Sequence, residues 1–169
     1  RLDAPEAKDA LREAERRVAS IALVHETLSQ SFDETVAFDD IADTLLRTIP
    51  EFAEGVDVRA SRIGSFGSLP ADAATSLAMV VTELVQNAVE HAFEGRASGR
   101  VTLAVNRIRG RLRMRVSDDG IGLPAGFDAT SSLGLSIVST LVEGELDGSL
   151  VFERSPAGGT TATITFDVA

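Results

Sequence analysis

Ala14, Val18, Ile21, His25 and Leu28 recur at alternating spacings of four and three, which predicts an amphipathic helix over residues 5 to 31 whose apolar stripe packs against other helices. A second helix is expected over 38 to 52, with Ile41, Leu45, Leu46 and Ile49 on one face, Pro50 near its end and Gly55 placed to stop it. Residues 56 to 63 alternate as a strand, and 64 to 70 read as a turn-rich connection. The longest helical signal follows Pro70, where Asp72 suits the first turn, and runs to about Phe93.

Beyond a loop at 95 to 99, Val101, Leu103 and Val105 share one side of a strand, and Leu112, Met114 and Val116 share one side of the next. The pair predicts a hairpin with one buried face, turned near Gly110. Its other face carries Arg111, Arg113 and Arg115, read as a solvated surface rather than a polyanion site. Residues 121 to 133 form a loop with Gly122, Pro124 and Gly126, followed by a helix over 133 to 145. Two closing strands, 150 to 154 and 160 to 168, flank a turn at 156 to 159. The sum is an α+β sandwich, helices layered on a mixed, largely antiparallel sheet and preceded by a long helix.

Composition narrows this picture. A chain of 169 residues, 44% hydrophobic and 25% charged, can bury a real core. No apolar run reaches the ~18 residues of a membrane span and no signal peptide opens the chain, so a cytoplasmic setting is expected. The absence of Cys removes disulfides and thiolate chemistry. A formal charge of −10 disfavours direct nucleic-acid binding, and an acidic protein that takes a nucleotide should do so through a divalent cation. The chain begins at Arg1 inside a helical pattern and is expected to be part of something longer.

The helix after Pro70 places Glu83, Gln86, Asn87, Glu90 and His91 on one stripe and Leu77, Val81, Leu84, Ala88 and Ala92 on another. Taken alone, that polar stripe is as well explained by a wet helix face. Asp118-Asp119-Gly120-Ile121-Gly122 closes a strand, where an Asp-Gly turn is the plain reading. Gly158-Gly159-Thr160 is equally a hairpin turn.

Together, however, Glu83 to Ala88 with His91, Asp118 to Gly122, Ser132-Leu133-Gly134-Leu135 and Gly158-Gly159-Thr160 match, in order and spacing, the N, G1, G2 and G3 boxes of the gyrase, Hsp90, histidine kinase and MutL type ATPases. The resemblance implies the GHKL, or Bergerat, fold and a site for ATP with Mg²⁺. It implies that Asn87 gives an amide oxygen to the metal, that Glu83 orients a metal-bound water or receives a proton, and that His91 donates to a phosphate oxygen. Asp118 would accept from the adenine amino group, with Asp119 facing solvent. Gly120 and Gly122 would let the backbone approach the base. The segment between Gly120 and Gly134 would close over the nucleotide as a lid. Ser132, Leu133, Gly134 and Leu135 would lie at the phosphate-facing helix start, and Gly159 and Thr160 would finish the wall near the base. Because residues 121 to 133 contain no Lys or Arg, phosphate neutralisation is expected from Mg²⁺, His91, helix amides and the hydroxyls of Ser131 or Ser132.

The first helix sharpens the family. Arg16 to Ser29, followed by these boxes, is similar to the HisKA_2 class of sensor histidine kinases, and within it to the PdtaS-type cytosolic group. The resemblance implies a two-component protein-histidine kinase: residues 1–34 a remnant of the dimerisation and phosphotransfer region, 35–169 the ATP-binding catalytic domain. The γ-phosphate would go to a His on a helix absent from this sequence, then to the Asp of a response regulator, of ANTAR type in that group. The full-length protein would be a homodimer. His25 lies in the apolar stripe without the acceptor motif of the class and is expected to be a packed structural residue. The competing classes are an anti-sigma-factor-type serine kinase of the same fold and a non-catalytic interaction module.

Overall fold

The computed structural model describes residues 34–53, 55–129, 132–155 and 158–168, together with 7, 8, 10–12, 14, 15, 18, 19, 21, 22 and 26. Those described between 7 and 26 are helical, as the stripe of the first segment predicts, and Leu11, Val18 and Ile21 among them are exposed. His25 and Leu28 of that stripe lie outside the described residues.

From residue 34 onward the order is β1 (Thr35–Ala37), α1 (Phe38–Thr48), a 3₁₀ turn (Ile49–Phe52), β2 (Asp57–Ile63), β3 (Ser68–Pro70) and α2 (Ala71–His91). There follow β4 (Ser98–Ile108), β5 (Arg111–Asp118), α3 (Leu133–Thr140), a π-helical turn (Leu141–Glu145), β6 (Ser149–Arg154) and β7 (Thr160–Asp167). The main sheet has strand order β2-β4-β5-β7-β6, with β2 parallel to β4 and every other pairing antiparallel. Strands β1 and β3 form a separate antiparallel pair, Val36 opposite Leu69. Neither of these was expected, since three residues are too few to show an alternation.

Register explains the layering. Leu103 pairs with Val116 and Val105 with Met114, and on the far side of β5 Met114 pairs with Ile164 and Leu112 with Phe166. All of these side chains are buried. One face of the sheet is thus a continuous apolar surface that the helices cover, while Arg111, Arg113 and Arg115 stand exposed on the other. Helix α2 contributes buried Leu77, Val81, Leu84 and Val85 to the covering layer. Burying each such side chain contributes about 1.5 to 3 kcal/mol.

Helix α1 shows the expected stripe of Ile41, Leu45 and Leu46. Phe38 opens it, its ring edge-to-face with Phe66 at 4.8 Å between centroids. An ion pair ties α1 to β2: Arg62 Nε and Nη2 donate to the two Asp43 carboxylate oxygens at 2.7 and 2.8 Å. That fork holds the Asp43 carboxyl below its ordinary value. The last helix departs from expectation in part. Only 133 to 140 is α-helical, and the next five residues widen into a π turn in which the Leu146 N–H reaches the Leu141 carbonyl and the Gly148 N–H that of Val142.

Candidate functional site

The end of α2, the end of β5 and the β6–β7 turn meet at one corner, and the backbone there is knotted together. The Ile121 N–H donates to the Ala92 carbonyl just past α2, and the Gly159 N–H to the Gly120 carbonyl, both at 2.9 Å. A side chain at Gly120 would overlap the Ala92 backbone, and one at Gly159 would come 2.8 Å from Asp118 Oδ1. Gly159 also holds a left-handed φ of +61°. Both glycines are therefore required by close approach, and Gly159 by its left-handed backbone as well.

Between these elements lies an open cleft of about 540 Å³. Asn87 and His91 face it from α2, Asp118 from β5, Gly122 from the following loop, Ser132 and Leu135 from the start of α3, and Thr160 from β7. Asn87 and Thr160, 73 positions apart in the sequence, are thus brought onto one surface. Gly120 and Gly159 stand behind the lining as the backbone that positions Asp118. Glu83 and Leu133 are not among the lining residues. Glu83 lies one turn before Asn87 and is 4% exposed, whereas Leu133 is 64% exposed at the head of α3. Gly134, half-buried, is the second residue of that helix.

Asp118 is the most constrained of the set. Its Oδ1 accepts the Gly120 N–H at 2.9 Å and the Thr160 N–H at 3.2 Å. Burial pushes the carboxyl above its ordinary value, and those two backbone donors oppose the rise. Asp119 turns away to the start of β4, where its Oδ1 accepts the Arg100 N–H at 2.8 Å and its carbonyl accepts from the Arg96 guanidinium. It is exposed, as the sequence reading had it. Ser132 caps α3 by accepting the Leu135 N–H at 3.2 Å, so its hydroxyl retains its own proton to donate.

The polar stripe of α2 is not uniformly wet. Glu90 and His91 are exposed and Asn87 half-buried, but Glu83 and Gln86 are buried. Gln86 Nε2 donates to Glu90 at 3.0 Å, while its buried Oε1 has no hydrogen-bond partner among the described residues.

Several lining residues escaped the sequence reading. Leu123, Pro124, Phe127 and Phe152 form an apolar wall, with the Phe127 and Phe152 rings edge-to-face at 5.2 Å. Arg154 lines the cleft from the end of β6, its Nη2 donating to the Leu123 carbonyl at 3.1 Å. Arg154 lies outside residues 121 to 133, the only segment in which the sequence reading looked for Lys and Arg, and its place in the cleft was not foreseen. Residues 121 to 133 have none of their own, but the strand preceding the Gly158-Gly159 turn brings one in from 31 residues away.

Comparisons with known proteins bear on the family and the fold. The family model described as histidine kinase-, DNA gyrase B- and HSP90-like ATPase matches residues 72–169, and the HisKA_2 histidine kinase model matches residues 1–53. The sensor histidine kinase PdtaS of Mycolicibacterium smegmatis is 49% identical over 163 residues, covering 94% of this chain and 33% of that protein. PdtaS of Mycobacterium tuberculosis is 48% identical over 168 residues, covering 96% and 33%. The chain thus spans about a third of the length of the curated relatives it matches. Among solved structures, the histidine kinase domain of the Erythrobacter litoralis EL346 blue-light activated histidine kinase superposes with a TM-score of 0.78 at 27% identity, covering 91% of this chain and 74% of that one.

Proposed function

Since the chain belongs to the histidine kinase-, DNA gyrase B- and HSP90-like ATPases, we propose that its cleft binds ATP with Mg²⁺ and serves as the catalytic core of a two-component sensor histidine kinase. One observation carries the reading: Asp118, its Oδ1 held by two backbone N–H groups, lines a cleft that Asn87 and His91 line as well. In this reading a purine amino group meets the Asp118 carboxylate, and the apolar wall of Phe127 and Phe152 takes the base. The triphosphate runs toward Asn87, His91 and the α3 N-terminus, where the Ser132 hydroxyl and the helix amides of Leu133 and Gly134 can donate, the Leu135 amide being taken by the Ser132 cap.

The residues present suit Mg²⁺. Among the described residues no group of three or more His, Cys, Asp or Glu could hold a metal alone. A hard cation that keeps several waters and shares phosphate oxygens needs only one or two protein ligands, which Asn87 can provide. Bound there, the metal would supply charge neutralisation at the phosphates. Buried Glu83, one helical turn away, would orient the water or acceptor that approaches Asn87.

The γ-phosphate would pass to a histidine imidazole and then to an aspartate of a response regulator, of ANTAR type by likeness to the PdtaS group. Positioning and electrostatics, rather than covalent work by this domain, would drive transfer. Residues 1–34 would belong to the phosphotransfer region of a homodimer working in the cytoplasm, and 35–169 to the ATP-binding domain. No helix among the described residues is long and apolar enough to cross a membrane.

The test is calorimetric titration with a nonhydrolysable ATP analogue and Mg²⁺, followed by incubation with Mg-ATP and a separately supplied acceptor-helix domain. Saturable binding and phosphohistidine are expected. Phosphoserine on a regulatory partner would favour the serine-kinase alternative, and an absence of binding heat would refute the nucleotide site.

A further inference from the structure

The cleft contains one contact that the proposed chemistry leaves unused. Arg154 sits at the end of the edge strand β6, and its guanidinium reaches across to the loop that leaves β5. Up to Ile121 that loop is held by backbone bonds, the Ile121 N–H on the Ala92 carbonyl and the Gly120 carbonyl under the Gly159 N–H. At Leu123 the support changes to a side chain, since the carbonyl there accepts from Arg154 Nη2 at 3.1 Å. Between them, Gly122 has a φ of +78°, and a Cβ on it would lie 3.1 Å from Arg154 Nε and 3.0 Å from the Gly159 carbonyl oxygen. The bare face of Gly122 is what admits the flat guanidinium. A planar fork that can lie against backbone while its end nitrogen donates sideways belongs to Arg and not to Lys.

We propose that Arg154 is a positioning residue for the base-binding end of the cleft, fixing the Gly122–Leu123 wall beside Asp118 in the shape that accepts a purine. The inference rests on the nucleotide reading above. Its competitor is that Arg154 is simply a cation for phosphates in a cleft that otherwise offers His91. The geometry favours positioning: the guanidinium donates to the Leu123 carbonyl, and a Cβ on Gly122 would crowd both that guanidinium and the carbonyl of Gly159, whose amide is tied to Gly120, so the group clusters with Asp118 and Thr160.

The two roles separate by how binding depends on the ligand. Titrating the full chain with ATP, ADP, AMP and GTP in Mg²⁺ should show that Arg154→Met, which keeps the aliphatic stem, weakens ATP, ADP and AMP by a common factor of about ten, the loss expected for a bond from a charged donor. The ATP-to-GTP preference should shrink with it, which a merely structural change elsewhere would not produce. Gly122→Ala, whose methyl would crowd both the guanidinium and the Gly159 carbonyl oxygen at a strained φ, should shift the preference in the same direction, and Arg154→Met combined with Gly122→Ala should lose less than the two separate losses together. Arg154→Lys should fail to restore the preference. A loss that grows from AMP to ATP with the preference intact would overturn positioning in favour of phosphate neutralisation. Unchanged affinities would overturn both. Wild-type protein that binds none of the four would instead sink the nucleotide reading itself.

Discussion

Gly159 lies so close to Asp118 that any side chain on it would overlap the Asp118 carbonyl oxygen and come within 2.8 Å of its carboxylate. The pair joins the β6–β7 turn to the end of β5, and nothing flexible stands between them. Gly159→Ala should therefore cost about 1 to 3 kcal/mol in urea unfolding, because the new methyl adds backbone displacement to an unfavourable positive φ. Adenine nucleotide affinity should fall in the same variant, measured by titration below its unfolding midpoint. Gly126 also has a positive φ but open space around it, so Gly126→Ala should show only the backbone part of the penalty and little loss of binding.

Asn87 is half-buried on the cleft side of α2, and Asn87→Ala removes an amide without touching the apolar layer. Unfolding stability should stay within about 0.5 to 1 kcal/mol of wild type. The gain in ATP affinity on adding Mg²⁺, compared with EDTA, should collapse. Equal metal dependence in the variant and the wild type would remove Asn87 from the metal site.

For Asp118 the folded-state carboxyl is raised, chiefly by burial. The folded protein therefore takes up this proton more readily than the unfolded chain, so the charged group opposes folding above its folded-state pKa. That penalty is relieved as pH falls through the raised value toward 3.8, the ordinary one. Asp118→Asn keeps an oxygen for the Gly120 and Thr160 donors without the charge. It should thus be at least as stable as wild type at neutral pH, with the difference shrinking on acidification. ATP affinity of the wild type should drop over the same window, and Asp118→Asn should lose selection of adenine over guanine at any pH. Retained selectivity would exclude this carboxylate from base recognition.

Gln86 carries a buried carbonyl oxygen without a partner among the described residues, and its amide nitrogen donates to an exposed glutamate. Leaving a buried acceptor unsatisfied costs about 1 to 3 kcal/mol, more than one hydrogen bond at the surface returns. Gln86→Met, similar in length and apolar, should raise the midpoint of thermal unfolding by about 2 to 4 °C. A lower midpoint would mean that the amide meets a need beyond its Glu90 contact.

Much of this was legible beforehand, for identifiable reasons. The hairpin of β4 and β5 announces itself because Val101 to Val105 and Leu112 to Val116 alternate over full strands with a polar face opposite. Helix α2 is legible by length, and Asn87, His91, Asp118 and Thr160 by box spacing. What escaped depends on contacts between distant segments. Strands β1 and β3 exist only because Thr35 to Ala37 meet Ser68 to Pro70, and no local pattern records such a meeting. The burial of Glu83 and Gln86 was hidden because their residue types read as solvent-seeking until tertiary neighbours are known. Arg154 lies 31 residues from the carbonyl it holds, in a strand whose own alternation gives no hint of that reach.

The parallel neighbours β2 and β4 are joined through α2, the helix that bears Asn87 and His91. Such a crossover pays its loop-closure entropy before its contacts repay it, whereas the β4–β5 hairpin needs only neighbouring residues to meet. During refolding, recovery of sheet signal from the hairpin should thus run ahead of ligand capture. A fluorescent adenine nucleotide added at the start of renaturation would then serve as a clock for the last large-scale event, the seating of that helix between its flanking strands.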